Sequence, residues 1–239
     1  MGLAGEIFET YGGRTRWEAV QSIHVLLSFG GLAFDMRLNR RGLRERNIHI
    51  SVQHPQVVFD DYPRLGKRGI FTADQVKIES TSGKILSSRN TPRDAFASFR
   101  RSIWWDDLDL LYFAGYACWN YFTIPYLFLF DGVELSEIEP GHENGEDFRR
   151  LKVKFPKSIP THSCEQVFWY DSNLHLRRHD YDPEVFASWA TAAHYCHEFR
   201  TFSGFPFATR RQVVPRMPNG ATRSRPILVW IQVKDISLE

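Results

Sequence analysis

The first residues to consider for chemistry are among the nine histidines of this 239-residue chain, because imidazole changes its charge near neutral pH. His179 and Tyr181 alternate on a predicted strand, so their side chains share one face while Asp180 points to the other. Such a pair can donate and accept a proton inside a pocket. The competing interpretation is a solvated strand edge, because residues of these types are usually exposed.

A second candidate group is the run His194-Tyr195-Cys196-His197. On a helix the two histidines would share a face, whereas on a strand His194 lies with Cys196 and opposite Tyr195. Zinc needs at least a third ligand, and no neighbouring pair supplies one at a known spacing. We therefore predict no metal site and treat His194 and Tyr195 as candidates for proton transfer.

Arginine supplies the last candidate. The pair Arg210-Arg211 lies on a predicted strand, so one guanidinium group must face inward if that strand is half buried. Its apolar neighbours are Phe205, Phe207 and Val213. An inward arginine can hold a carboxylate or enolate oxygen, and we assign this role to Arg210. The alternative is a cross-strand ion pair.

A serine or cysteine nucleophile is a further possibility beside His162, which adjoins Ser163 and Cys164. No nucleophile elbow and no third orienting residue accompany this group in the sequence. The chain also contains neither a Gly-rich phosphate loop nor a dinucleotide fingerprint. We therefore expect no cofactor, and neither phosphoryl transfer nor nicotinamide redox chemistry.

Composition limits the partners and the compartment. A net charge of +2 gives no nucleic-acid footprint, and an aromatic content of 15% indicates either a cavity lined with rings or a core packed by them. Three cysteines in no metal-ligand spacing suit a reducing compartment, and residues 1–13 lack the basic region of a signal peptide. We predict a cytoplasmic protein that binds no nucleic acid; the sequence does not predict its oligomeric state.

The stretch from Leu108 to Phe130 organises the rest of the chain. It carries no charge after Leu110, so it must either cross a bilayer or be wrapped by other elements. Pro125 interrupts it, Asn120 lies near its centre, and the acidic residues at its start suit a helix N-terminus. We predict a buried helix and no stable membrane span.

The remaining sequence consists of short β segments separated by turn signals. Thr91-Pro92 predicts the start of a helix that runs to about Ile103, so helices interrupt the sheet at about 92–130. Residues 190–202 are assigned to a strand, although their alanines also permit a helix. We predict one β-barrel-like ligand-binding domain over 1–239. Its class is mainly β with a helical insertion (α+β), a curved antiparallel sheet or open β-barrel of about ten strands plugged by a central apolar helix pair.

This order of elements resembles the lipoprotein-carrier (LolA/LolB-like) architecture, an open barrel with helices in its concave face. A similarity to a group of uncharacterised bacterial proteins is carried by the segments LRRHDYDPEV, WATAAHYC and FPFATRRQVVPR. The resemblance implies a hydrophobic cavity.

Two functions are compatible with such a cavity. The one we favour is a cofactor-independent cyclase or isomerase, pericyclase-like or acid/base, that acts on a bulky hydrophobic specialised metabolite in a biosynthesis pathway. The alternative is a non-catalytic carrier or sensor of a lipid-like ligand. An enzyme predicts titratable groups converging on one wall with perturbed pKa values, whereas a carrier predicts an apolar lining with the histidines outside.

Both functions use the same set of candidate residues. The predicted catalytic residues are His179, Tyr181, His194, Tyr195 and Arg210. The predicted ligand-binding residues are Tyr112, Trp119, Tyr121, Phe122 and Trp169.

Overall fold

A computed structural model describes residues 2–37, 43–187 and 190–239 of the chain. The strands formed by these residues are β1 (Ser22–Gly30), β2 (Leu43–Ser51), β3 (Gln56–Asp60), β4 (Lys67–Thr72), β5 (Gln75–Ser80), β6 (Ile85–Asn90), β7 (Glu134–Glu143), β8 (Glu146–Lys154), β9 (Glu165–Tyr170), β10 (Leu176–Tyr181), β11 (Ala192–Phe202), β12 (Phe205–Pro215) and β13 (Val229–Leu238). The α-helices are α1 (Leu3–Thr10), α2 (Arg14–Trp17), α3 (Leu32–Asp35), α4 (Phe99–Ile103) and α5 (Asp107–Thr123). Two short 3-10 helices cover Pro92–Ala97 and Tyr126–Leu129.

All thirteen of these strands belong to one antiparallel sheet, in the order β6-β5-β4-β3-β2-β1-β13-β12-β11-β10-β9-β8-β7. Strands that are consecutive in sequence pair with each other, except for β6 and β7, and β1 also pairs with β13, which joins the two ends of the series. The sheet is curved and unclosed, with β6 and β7 at its two edges. The predicted mainly β class and curved antiparallel sheet are confirmed, but the predicted count of about ten strands is too low.

The undercount has a local cause. The alternation of residues 69–80 predicts a single β segment, but this region forms the hairpin of β4 and β5, joined at Ala73-Asp74. This turn contains neither Gly nor Pro, which are the strongest turn signals in a sequence. By contrast, a glycine does mark the turn after β1. Gly31 follows this strand with a φ of +137° and leads into α3. A Cβ atom at Gly31 would lie 2.3 Å from the carbonyl oxygen of Leu228, so only glycine fits there.

Helix α5 lies against the inner, concave face of the sheet, where it packs on β2, β3, β4 and β5. Every residue from Leu108 to Thr123 is buried, as the all-round apolar sequence predicts. The helix ends at Thr123 because Ile124 precedes Pro125 and takes an extended conformation with a ψ of 134°. It is therefore shorter than the predicted segment that reached Phe130.

The start of α5 is fixed by a capping box. The Asp106 side chain accepts from the backbone N–H of Asp109, and the Asp109 side chain accepts in return from the backbone N–H of Asp106. Asp109 is fully buried and forms ion pairs with Arg89 and Arg101. The acidic residues predicted to suit this helix end thus also anchor it to strand β6, which carries Arg89.

The predicted helix from Thr91 to about Ile103 is divided into two parts. Ser98 is extended, with a ψ of 139°, and separates the 3-10 helix Pro92–Ala97 from α4. Thr91 has a φ of +43° and makes no side-chain cap, although Pro92 does take the first helical position. The sheet is therefore filled by α5 with short flanking turns rather than by the predicted pair of helices.

A membrane span would need a long and strongly apolar helix. None of the helices in the described residues meets that requirement.

Candidate functional site

Strand register brings a row of inner-face residues together across β9 to β12. Phe168 pairs with His179, His179 with His194, and His194 with Val213. The ring centres of His179 and His194 lie 6.0 Å apart, and both side chains are essentially without solvent exposure. The row therefore places two imidazoles side by side on the inner face.

A third imidazole, His162, reaches this row from the loop before β9. Its Nδ1 lies 3.2 Å from the Tyr116 hydroxyl and its Nε2 lies 2.7 Å from the Tyr121 hydroxyl, both on α5. The ring of His162 stacks on Tyr181 with ring centres 3.9 Å apart, and the Tyr121 and Tyr181 hydroxyls lie 3.3 Å apart. We call His162, His179, His194, Tyr116, Tyr121 and Tyr181 the imidazole–tyrosine cluster.

One member of the cluster is fixed by a glutamine. The Gln166 side chain donates through Nε2 to the backbone carbonyl oxygen of Ser163, 2.8 Å away, so its Oε1 faces Nε2 of His179. An amide oxygen only accepts, so Nε2 of His179 carries the proton in this network. By contrast, neither nitrogen of His194 has a hydrogen-bond partner among the described residues.

Burial controls the charge state of the cluster. It lowers the pKa of His162 to about 3, with a further contribution from Arg93. Burial also lowers the pKa of His179 and His194 well below the ordinary value, and the charge of Arg211 adds to both shifts. Burial raises the pKa of the cluster's three tyrosines. At neutral pH the cluster is therefore a set of neutral imidazoles and phenols.

Besides Arg93, Arg211 on β12 places a positive charge next to the cluster. The guanidinium group donates through Nη1 to Sγ of Cys196 at 3.2 Å and through Nη2 to the backbone oxygen of Tyr121 at 3.1 Å. It is 5% exposed, and its Cζ lies 5.3 Å from the centre of the Tyr121 ring. The inward arginine that the sequence requires is thus Arg211, whereas the prediction chose Arg210.

A small cavity of about 10 Å³ adjoins Arg211 on the inner face. It is lined by Tyr11, Tyr121, Ile124, Leu176, His179, Phe199, Pro206, Phe207, Ala208 and Arg211. A space of this size holds about one water molecule, whereas pockets for small organic ligands measure roughly 300 Å³ or more. In the described conformation this cavity is therefore too small for such a ligand.

Three of the five predicted catalytic residues meet in the cluster, and two do not. Tyr195 and Arg210 lie on the outer face, because neighbouring residues on a strand point to opposite sides. The Tyr195 hydroxyl donates to Glu143 at 2.8 Å, and Arg210 donates to Glu198 at 2.6 Å. The alternative of a cross-strand ion pair, which the sequence left open for this arginine, is the arrangement found.

Four of the five predicted ligand-binding residues are buried on α5: Tyr112, Trp119, Tyr121 and Phe122. The fifth, Trp169, lies on the outer face instead. Its ring is flanked by the guanidinium groups of Arg150 and Arg178, whose Cζ atoms lie 4.9 Å and 4.5 Å from its centre. Trp169 thus cannot line the same space as the other four.

The outer face around Trp169 forms an open groove of about 780 Å³. Its buried arginine, Arg178, is paired with Asp180 at 2.7 Å and with Glu143 at 2.6 Å. Lys152 and Arg216 in the same groove also pair with carboxylates. The groove is larger than the inner cavity, but most of its charged groups already have partners.

The predicted site contains none of His162, Gln166 and Arg211, although the sequence analysis considered His162 beside a nucleophile and Arg211 as one of two arginines that could face inward. A signal for Arg211 is present in the sequence: Phe205, Phe207 and Val213 have the same odd parity on β12 and would predict it to face inward. His162 lies in a loop, so no periodic pattern marks it. Within the described residues, no group of three or more His, Cys, Asp or Glu side chains is arranged to hold a metal ion.

Comparison with known proteins shows what this fold resembles. No protein-family model matches the chain, and no curated protein matches it. A DUF1329 family protein from Desulfovibrio piger superposes with a TM-score of 0.53 at 12% identity, covering 99% of this chain and 92% of that protein. A LolA superfamily protein from Nitrosomonas europaea gives a TM-score of 0.51 at 10% identity, covering 100% of this chain and 94% of that protein. The chain therefore has the open-sheet fold of these proteins, and the predicted LolA-like architecture is confirmed.

A third neighbour corrects the predicted compartment. It is a domain from Vibrio parahaemolyticus whose name assigns it provisionally to outer membrane lipoprotein sorting. Its TM-score is 0.53 at 10% identity, covering 99% of this chain and 91% of that domain. A cytoplasmic location, predicted from the cysteines and the first residues, is wrong in the light of this neighbour.

Proposed function

We propose that this protein binds a hydrophobic, lipid-like molecule between its curved sheet and α5, carries it outside the cytoplasm, and releases it unchanged. The observation that carries this proposal is the form of the interior, an unclosed sheet wrapped around an all-round buried helix rich in aromatic rings. The neighbours with the same fold, one of them named for lipoprotein sorting, support both the carrier role and the compartment. The single sheet supports one ligand-binding domain over 1–239.

Binding of a lipid-like molecule requires a second conformation. The inner cavity of about 10 Å³ is too small for an acyl chain, so side chains or helices must move before the ligand enters. A ligand that binds only the open state shifts the population toward that state.

The test is native mass spectrometry of the protein purified from its own host, followed by solvent extraction of whatever is bound. We expect a hydrophobic molecule at a fixed stoichiometry that is recovered intact after incubation. Titration of the emptied protein with N-phenyl-1-naphthylamine should then give saturable fluorescence. A protein that carries nothing and does not bind this probe would contradict the proposal.

A second candidate is the cofactor-independent cyclase or isomerase, and one observation favours it. His162, His179 and His194 lie inside with lowered pKa values, which is the arrangement expected of an enzyme rather than of a purely apolar carrier. The same extraction experiment separates the two candidates, because an isomerase converts its ligand to a product of equal mass. Loss of that conversion in His179→Ala or His194→Ala would support the enzyme.

A further inference from the structure

No ion pair among the described residues involves Arg211, whereas its neighbours Arg210 and Arg216 pair with Glu198 and Asp182. Its hydrogen-bond acceptors are the thiol of Cys196 and the backbone oxygen of Tyr121. Burial raises the pKa of Cys196, so that partner is a neutral thiol. The Nε atom of Arg211 is buried with no partner among the described residues. A buried ion without a counter-ion is costly, so its presence calls for an explanation.

Of the three other buried arginines, Arg37 also has no ion pair among the described residues; it donates to the backbone oxygens of Ala33 and Phe186 and lies over the Phe186 ring. The other two are paired with carboxylates. Arg101 pairs with Asp106 and Asp109 under α5, and Arg178 pairs with Glu143 and Asp180 on the outer face. In both cases two carboxylates surround the guanidinium group. Around Arg211 the neighbouring polar side chains are instead imidazoles and phenols, which are neutral.

Both polar and apolar side chains surround Arg211 on the inner face. His194 has no partner for either nitrogen among the described residues, and strand register places it diagonally next to Arg211, because Arg211 pairs with Cys196, two residues further along β11. The charge of Arg211 accordingly contributes to the lowered pKa of His194. Besides Arg211, the adjoining cavity is lined by Tyr11, Tyr121 and His179 and by a group of apolar side chains: Ile124, Leu176, Phe199, Pro206, Phe207 and Ala208. An anionic group at Arg211 would therefore have an apolar wall beside it.

We propose that Arg211 binds the anionic head group, a carboxylate or a phosphate, of a single-chain amphiphile whose apolar chain lies along this wall. This inference rests on the proposed function, since it names the chemistry of the ligand that the carrier takes. A guanidinium group binds carboxylate and phosphate oxygens through paired N–H donors. His194 donates a further hydrogen bond to the same head group and so gains a partner, which neither of its nitrogens has among the described residues.

The experiment compares an acid with its neutral ester. Wild-type protein is titrated with the fluorescent probe cis-parinaric acid and with its methyl ester. We expect about tenfold or greater preference for the acid, the range of a charge-assisted hydrogen bond. Arg211→Met should lose that preference while its affinity for the ester stays unchanged, and Arg211→Lys should retain part of it. The matched control is Arg210→Met on the outer face, which should behave as wild type.

The outcomes separate this inference from the proposed function. If the wild type and Arg211→Met bind acid and ester equally, the head-group inference is overturned and the carrier proposal stands. If the wild type binds neither probe, both fail. Oleate and 1-oleoyl-lysophosphatidate as competitors distinguish a carboxylate from a phosphate head group. Displacement by methyl oleate with equal strength would count against any anionic group. Circular dichroism of each variant checks that the fold is retained.

Discussion

The two halves of the sheet line the same concavity with different chemistry. In the half formed by β1 to β6 the inner side chains are aliphatic and aromatic, among them Ile48, Ile50 and Phe71. In the half formed by β7 to β13 the inner side chains include three imidazoles, Gln166 and Arg211. The first half needs only shape to pack against α5, whereas the second half needs hydrogen-bond partners, and some of its polar atoms have none among the described residues. The two halves therefore differ in the polarity of their inner faces, and the recognition proposed above would use only the second half.

Removing the charge of Asp109 should have the largest effect on the free energy of unfolding. This effect concerns the half of the sheet formed by β1 to β6, because Asp109 pairs with Arg89 on β6. The change Asp109→Asn leaves Arg89 and Arg101 with a single shared carboxylate under α5, which we expect to lower the free energy of unfolding by about 3–5 kcal/mol. Urea unfolding followed by circular dichroism measures it. The exposed Asp131→Asn is the control and should stay within about 0.5 kcal/mol. Equal effects of both changes would contradict the assignment.

The contact between α5 and β4 should tolerate no added methyl group. In Gly115→Ala the new Cβ would lie 2.3 Å from the Phe71 ring, so we expect a loss of about 1–3 kcal/mol in unfolding free energy. This reverses the usual sign, because alanine stabilises a helix relative to glycine by about 1 kcal/mol. The double variant with Phe71→Leu should recover part of the loss. If Gly115→Ala is more stable than wild type, the contact between Gly115 on α5 and Phe71 on β4 is not close enough to exclude a methyl group.

Lowering the pH should reduce the stability of the folded protein through the buried imidazoles in the half formed by β7 to β13. Buried imidazoles have a folded pKa below their unfolded value of about 6.5, so below that pH the unfolded chain binds more protons than the folded protein. Stability should fall as pH falls through about 6.5, by up to about 1.4 kcal/mol per pH unit for each imidazole.

Urea midpoints measured at several pH values test this dependence. The variant His162→Phe should show a shallower slope than wild type, and the exposed His142→Asn should not. Equal slopes in wild type and His162→Phe would contradict the expectation that His162 binds a proton in the unfolded chain but not in the folded protein.

The smallest expected effect is an increase in stability. His194→Leu replaces a buried ring whose nitrogens lack partners among the described residues, so we expect about 1 kcal/mol of added stability. The same change should weaken binding of cis-parinaric acid. A variant that is less stable than wild type would show that His194 contributes to packing rather than to recognition, and thermal denaturation would detect it.

Much of the fold follows from local sequence rules, and less of the site does. The buried state of α5 is predictable because its apolar residues surround the helix, and its start is predictable from Asp106 and Asp109. Strand alternation predicts that one of two adjacent arginines faces inward, but choosing Arg211 requires the parity of its neighbours. His162 and Gln166 join the site only through tertiary contacts, which no local pattern contains.

The pairing of β1 with β13 has a consequence for how the chain folds. These strands are far apart in sequence, so their seam forms only after a long loop has closed, and contacts of this kind slow folding. Until then, two edges rich in apolar residues such as Val25 and Ile236 are open to pairing with other chains. Recovery on refolding should therefore depend more on protein concentration and on charges placed at this seam than on the stability of the native state.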